Sequence, residues 1–147
     1  MRDPSLEPRP ASWSRTEMTE VVMPQHANTH GTVFGGVAMG WIDICGAIVA
    51  KRHSGHVCVT AFVDDLEFIE PVRVGDLVRL IGRITAAFTS SMEVEVVVER
   101  EETGALRRTR CVEALLVFVN VGPDGRPLPV PPVRLETDDD QIGRAHV

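Results

Sequence analysis

Phe34-Gly35-Gly36-Val37-Ala38-Met39-Gly40-Trp41-Ile42-Asp43-Ile44-Cys45-Gly46-Ala47-Ile48-Val49-Ala50-Lys51-Arg52 contains no proline and reads as one long helix. Glycines open it, Lys51, Arg52 and His53 stand where positive side chains suit a helix C-terminus, and Ser54-Gly55 ends it. Apart from its glycines and Asp43 it is apolar nearly all round up to Ala50. Such a helix belongs in a protein core or in a membrane. Nowhere do about 18 apolar residues follow one another, which excludes a membrane span and leaves the core.

The flanking sequence supplies what would cover the helix. Thr16 to Met23 reads as a first strand stopped by Pro24, and Gln25-His26-Ala27-Asn28-Thr29-His30-Gly31 as a polar loop. After Gly55 come four long β-rich runs, Val57 to Phe68, Asp76 to Phe88, Met92 to Arg100 and Thr109 to Val121, separated by short turn-forming stretches. Alternation is clearest in Val94-Glu95-Val96-Val97-Val98-Glu99. Long strands with short connections predict an antiparallel sheet. The expected fold is therefore α+β, with an antiparallel sheet wrapped around one central helix.

With 147 residues the chain has room for one domain. Met1 to about Arg15 is polar and Pro-rich and is expected to be a disordered lead-in. The domain is expected over residues 16–132, and residues 133–147, with Asp138-Asp139-Asp140, as a solvated tail. One legal codon choice for Ile142 to Val147, ATC GGA AGA GCA CAC GTC, spells the start of a common sequencing adapter, so Gln141 to Val147 are expected to be foreign to the protein.

A net charge of -6 and an aromatic fraction of 5% without tyrosine argue against a nucleic-acid partner. Three cysteines without metal-ligand spacing point to reduced thiols in a cytoplasmic protein. His26 and His30 lie four apart with no third ligand indicated, so no metal is expected. Cys45 lies in the apolar helix without a sequence-adjacent base and reads as an inert buried thiol, and no GxSxG motif supports a serine nucleophile.

Three features remain that could carry chemistry. Asp43 sits in the middle of the apolar helix, and its neighbours Met39, Gly40, Gly46 and Ala47 cannot pair its charge. An unpaired buried carboxylate is costly, so it should face a cavity, a partner or a ligand, with Gly40 and Gly46 leaving room. Gly35 and Gly36 stand where helix N–H groups lack intrahelical partners and can hold an anion or polarise a carbonyl, although Gly-Gly by itself is more often a packing device. Asn28, in the preceding loop, can donate a hydrogen bond or orient a water, although a lone loop asparagine is more often a turn residue.

Taken together, Asn28-Thr29-His30-Gly31-Thr32-Val33-Phe34-Gly35-Gly36, Met39 to Ile48, Phe68-Ile69-Glu70-Pro71-Val72-Arg73-Val74-Gly75-Asp76 and Thr89-Ser90-Ser91-Met92-Glu93-Val94 resemble the hotdog-fold acyl-CoA thioesterases of the cytosolic acyl-CoA hydrolase type. The resemblance covers roughly Thr16 to Pro132. It implies hydrolysis of acyl-CoA to free acid and CoA without a cofactor, with Asp43 as general base or nucleophile, Asn28 assisting at the thioester and the backbone N–H near Gly35 as oxyanion donor. Substrate contacts are expected at Gly36, Thr89, Ser90 and Ser91. Arg52 and Arg110, with Lys51, Arg107 and Arg108, are candidates for the CoA phosphates, although a solvated face is the commoner fate of such side chains. Departures from the family are His26, where an acidic residue is common, and Ala86-Ala87-Phe88, which replaces a Gly-rich approach to the Thr-Ser pair.

The resemblance also implies homodimers with a continuous sheet, with trimers of dimers as the larger assembly. Spacing supports a shared site. Gly35 and Asp43 are eight residues apart, roughly 12 Å along a helix, too far to serve one thioester carbonyl from one chain. Competing readings are a hotdog enoyl-CoA hydratase or dehydratase, which would use paired Asp/His or His/Glu groups, and a noncatalytic acyl-CoA sensor. The chain lacks the Asn-Pro-x-His arrangement of the hydratases, and residues before Thr16 are too few and too weakly basic for a DNA-binding segment.

Overall fold

A computed structural model describes Asp3 and residues 6–136. In chain order the elements are β1 (Arg9–Pro10), α1 (Ala11–Ser14), β2 (Thr16–Val21), a 3₁₀ turn (Pro24–His26), α2 (Gly35–Ser54), β3 (Cys58–Phe68), β4 (Leu77–Ala87), β5 (Ser91–Glu102), β6 (Arg107–Asn120) and β7 (Val133–Arg134). Strands β2-β4-β5-β6-β3 form one antiparallel sheet in that order, and α2 lies across it. The hotdog architecture expected from the sequence is present, with each expected element displaced by only a few residues at its ends.

Alternation in the strands builds the core. Val78, Leu80 and Ile84 of β4, Val94, Val96 and Val98 of β5, and Val112, Ala114, Leu116 and Phe118 of β6 are buried against Ile42, Cys45, Val49 and Ala50 of α2. Each fully buried branched or aromatic side chain contributes about 1.5–3 kcal/mol. Close approach is secured by two glycines. A Cβ on Gly82 would stand 2.8 Å from Val49 Cγ2, and one on Gly46 would stand 2.9 Å from the Phe118 ring. Helix α2 ends at Gly55, whose φ of 80° lets its N–H donate to Lys51 O at 2.8 Å.

Three expectations need correction. The helix is not covered all round by its own chain, because the sheet wraps one side and leaves Ile44 52% exposed on the other. Gly46 leaves no room beside Asp43, since Phe118 occupies that space; Gly40 does, with nothing within 4 Å of its Cβ position. The third concerns the ends of the domain. Arg9–Pro10 pairs in parallel with Val133–Arg134, Arg9 N–H donates to Pro132 O at 2.9 Å, and Ala11 and Ser14 are buried. The packed body therefore begins before Thr16 and runs past Pro132. Proline forbids helix and central strand, yet an extended edge pair uses few N–H groups and tolerates it. The expectations for Asp138-Asp139-Asp140 and for Gln141 to Val147 lie outside the described residues.

No helix among the described residues is long and apolar enough to cross a membrane, and none of their His, Cys, Asp or Glu side chains form a group of three or more that could hold a metal ion.

Candidate active site

Asp43 stands on the border between the buried and open sides of α2, half-buried. Its Oδ1 accepts a 2.5 Å hydrogen bond from Thr60 Oγ1 on β3. A bond that short from a hydroxyl to a carboxylate oxygen is charge-assisted and holds the carboxylate in one orientation. Thr60 escaped the sequence reading. Its only signal was being the sole hydroxyl in the run Val57 to Val63, and the contact closes over 17 residues.

Asn28 organises the loop before α2. Its Oδ1 accepts from the N–H of His30 at 2.9 Å and of Thr32 at 3.2 Å, and its Nδ2 donates to Thr32 Oγ1 at 2.9 Å. Asn28 N–H in turn donates to Thr32 O at 2.8 Å. An amide nitrogen carries two hydrogens, and the second has no partner among the described residues. The asparagine is both the turn residue and a free donor.

At the start of α2 the first intrahelical bonds run from Val37 and Ala38 N–H to Phe34 O, at 3.0 and 3.1 Å, so the N–H groups of Gly35 and Gly36 precede the helical ladder. Both glycines are exposed, and the Phe68 ring lies 3.8 Å from the Cβ position of Gly35. Strand β3 thus meets α2 twice, with Thr60 at Asp43 and Phe68 at the Gly35 end.

The other expected substrate contacts are not gathered here. Thr89 and Ser90 form the β4–β5 turn, and Ser91 opens β5, at the opposite end of α2, where Thr89 O accepts from Val130 N–H and Ser90 O from Asn120 N–H, each at 2.9 Å. Arg52 donates to Thr16 Oγ1 at 3.0 Å, and Arg110 pairs with Glu113 at 2.7 Å. Within one chain the predicted residues therefore fall into groups at the two ends and the middle of α2. Burial pushes the Cys45 thiol up to about 11, consistent with an inert core residue.

The family model described as Thioesterase superfamily matches residues 30–106, more than half of the chain. The chain belongs to the thioesterase superfamily. Among thioesterase relatives, the rat cytosolic acyl coenzyme A thioester hydrolase is 36% identical over 92% of this chain, and the chain spans only 36% of that protein's length. The Bacillus subtilis protein YkhA, named an uncharacterized acyl-CoA thioester hydrolase, is 38% identical over 86% of this chain and 74% of its own. An acyl-CoA hydrolase from Staphylococcus aureus, solved with butyryl coenzyme A, coenzyme A and coenzyme A disulfide, superposes with a TM-score of 0.90 at 33% identity, over 93% of this chain and 84% of that one. Variants of that hydrolase with alanine replacing an asparagine, an aspartate or a threonine have also been solved. An apo-hexameric acyl-CoA thioesterase superposes with a TM-score of 0.91 at 34% identity, over 95% of this chain and 89% of that one.

Proposed function

We propose that this chain hydrolyses acyl-CoA to a free carboxylic acid and CoA, as a homodimer in which two copies complete each site. The observation that carries the reading is the Asp43–Thr60 contact, which fixes one carboxylate oxygen and leaves the other available for chemistry. In the reaction, the thioester oxygen accepts from the Gly35 N–H. Asp43 takes a proton from water, hydroxide adds to the carbonyl carbon, and the tetrahedral intermediate collapses to acid and CoA thiolate, which recovers the proton. Direct attack by Asp43 to give an anhydride, then hydrolysed by water, uses the same oxygen.

The edge strand supports the dimer. Val59, Phe62, Val63 and Phe68 of β3 are exposed in the single chain, and one edge of β3 is unpaired. Antiparallel pairing of β3 with its two-fold copy, about the middle of the strand, sets the Phe68 end of one copy opposite the Thr60 end of the other. That brings the second copy's Gly35 N–H and Asn28 amide beside Asp43, and it makes two equivalent sites. Hexameric solved relatives support a trimer of such dimers.

A thiol-release assay with acyl-CoAs of graded chain length tests the proposal. Release by the wild type and its loss in Asp43→Asn are expected. Near-normal release by that variant overturns the assignment. Hydration of an enoyl-CoA in place of release would make the protein a hydratase, and binding without turnover would make it a sensor.

A further inference from the structure

The 3₁₀ turn before Asn28 is held by an unusual clasp. His26 N–H donates to Met23 O at 2.9 Å, while Met23 N–H donates back to His26 Nδ1 at 3.0 Å. Reciprocal bonds of this kind ordinarily use a glutamate or glutamine side chain as acceptor. An imidazole can play that part only with Nδ1 unprotonated, which puts the ring's hydrogen on Nε2. The same residue makes two further contacts, one with the residue that caps α2 and one with α2 itself. His26 O accepts the N–H of Phe34 at 2.9 Å, the residue immediately before Gly35. Its ring stands edge-on to Trp41, with centroids 5.1 Å apart and planes at 80°. Trp41 is itself packed against the core.

We infer that His26 is a positioning residue for the site: as the neutral Nε2–H tautomer it ties the turn bearing Asn28 to the first turns of α2, and so sets where the Asn28 amide and the Gly35 N–H stand. This rests on the hydrolase reading for its kinetic consequence but not for its structural one. Only Ala27 separates His26 from Asn28, and Asn28 shapes the remainder of the loop through Thr32, so a turn freed from the His26–Met23 clasp shifts the chain that carries the Asn28 amide. A displacement near 1 Å of a donor aimed at a developing oxyanion costs about 100-fold in rate. Substrate affinity, spread over many contacts, changes much less.

Two variants separate this role from bulk stability. His26→Ala removes ring and acceptor together, whereas His26→Asn places a carbonyl oxygen near the position of Nδ1. Nitrogen-15 spectra of the wild-type histidines should show one ring with an unprotonated, hydrogen-bonded Nδ1 that disappears in His26→Ala. That variant should also lower kcat about 100-fold with KM little changed, and speed hydrogen exchange at the Phe34 amide, which His26 O accepts. His26→Asn should restore both most of the way. A protonated Nδ1 in the wild type, unchanged exchange at Phe34 in His26→Ala, or a His26→Asn variant as impaired as His26→Ala overturns the inference. A wild type that hydrolyses no acyl-CoA overturns the functional reading instead, and the spectra and exchange rates still judge the clasp.

Discussion

Ile42 and Ile44 are two residues apart on α2 and have opposite fates. Ile42 is fully buried under β4 to β6, while Ile44 keeps 52% of its surface on the side flanked by β3. Composition does not distinguish the two sides of the helix, since both are apolar; what differs is how much sheet is present to cover them. The covered side is a finished core in which even glycines are filled to contact, at Gly46 and Gly82. The open side holds Asp43, the empty space at Gly40 and the exposed apolar residues of β3. One side answers to stability, and the other is the side that the proposed function assigns to a second copy and a ligand.

That contrast can be broken most severely at Asp43. Replacing it with asparagine should lower kcat by about 10²–10⁴-fold, the range for losing a general base, with the far-UV spectrum and melting temperature nearly unchanged because the residue is only half-buried. Turnover and thermal unfolding measured on one preparation decide it, and a collapse of the fold would place Asp43 on the structural side instead. Next in size, Phe62→Asp puts a charge in the exposed β3 row. Light scattering should show monomer where the wild type shows dimer or larger, and turnover should fall together with assembly. An active monomer would mean that one chain completes its own site.

Smaller effects separate the two sides by glycine. Gly46→Ala should destabilise the protein, since forcing a methyl against Phe118 costs about 1–3 kcal/mol and outweighs the roughly 1 kcal/mol that alanine gains over glycine in a helix. Gly40→Ala should raise the stability by up to about 1 kcal/mol and lower turnover by crowding the space beside Asp43. Urea unfolding of both variants is the comparison, and equal losses would erase the distinction between the sides.

The smallest effect concerns the buried end of α2. His53 is fully buried, its Nε2 lies 2.7 Å from Pro131 O, its Nδ1 has no partner, and burial holds its pKa below the ordinary value. The unfolded chain binds a proton near the ordinary value of about 6.5 and the folded chain only at lower pH. This group's stability is therefore complete above about 6.5 and lost as pH falls below it, by at most about 1.4 kcal/mol per pH unit. Urea midpoints from pH 7.5 to 5 should fall less steeply in His53→Gln, which keeps a donor for Pro131 O. Parallel curves would remove His53 from the account.

Much of this was legible without coordinates. Proline and glycine punctuation bounded α2 and the strands, and Asp43 was conspicuous because helical neighbours could not pair it. Asn28 and Gly35 could be read locally as candidate donors, although each also fitted a turn or packing role. Thr60 was not, because a threonine in a strand is ordinary until something distant needs its hydroxyl. Nor was the role of His26, whose two partners lie three residues before it and fifteen after. The pairing of Arg9–Pro10 with Val133–Arg134 was hidden for the same reason, since neither segment carries a periodic signal.

By itself the sequence determined the helix, the strands, the antiparallel class and the presence of a lone carboxylate in apolar surroundings, because periodicity, turn chemistry and burial cost act over a few residues. Only the tertiary structure decided which side of α2 the sheet covers, what holds Asp43, and how the predicted site residues are divided between the ends of the helix. Those outcomes depend on contacts between residues far apart in the chain, and the energy of such a contact is written in no local pattern.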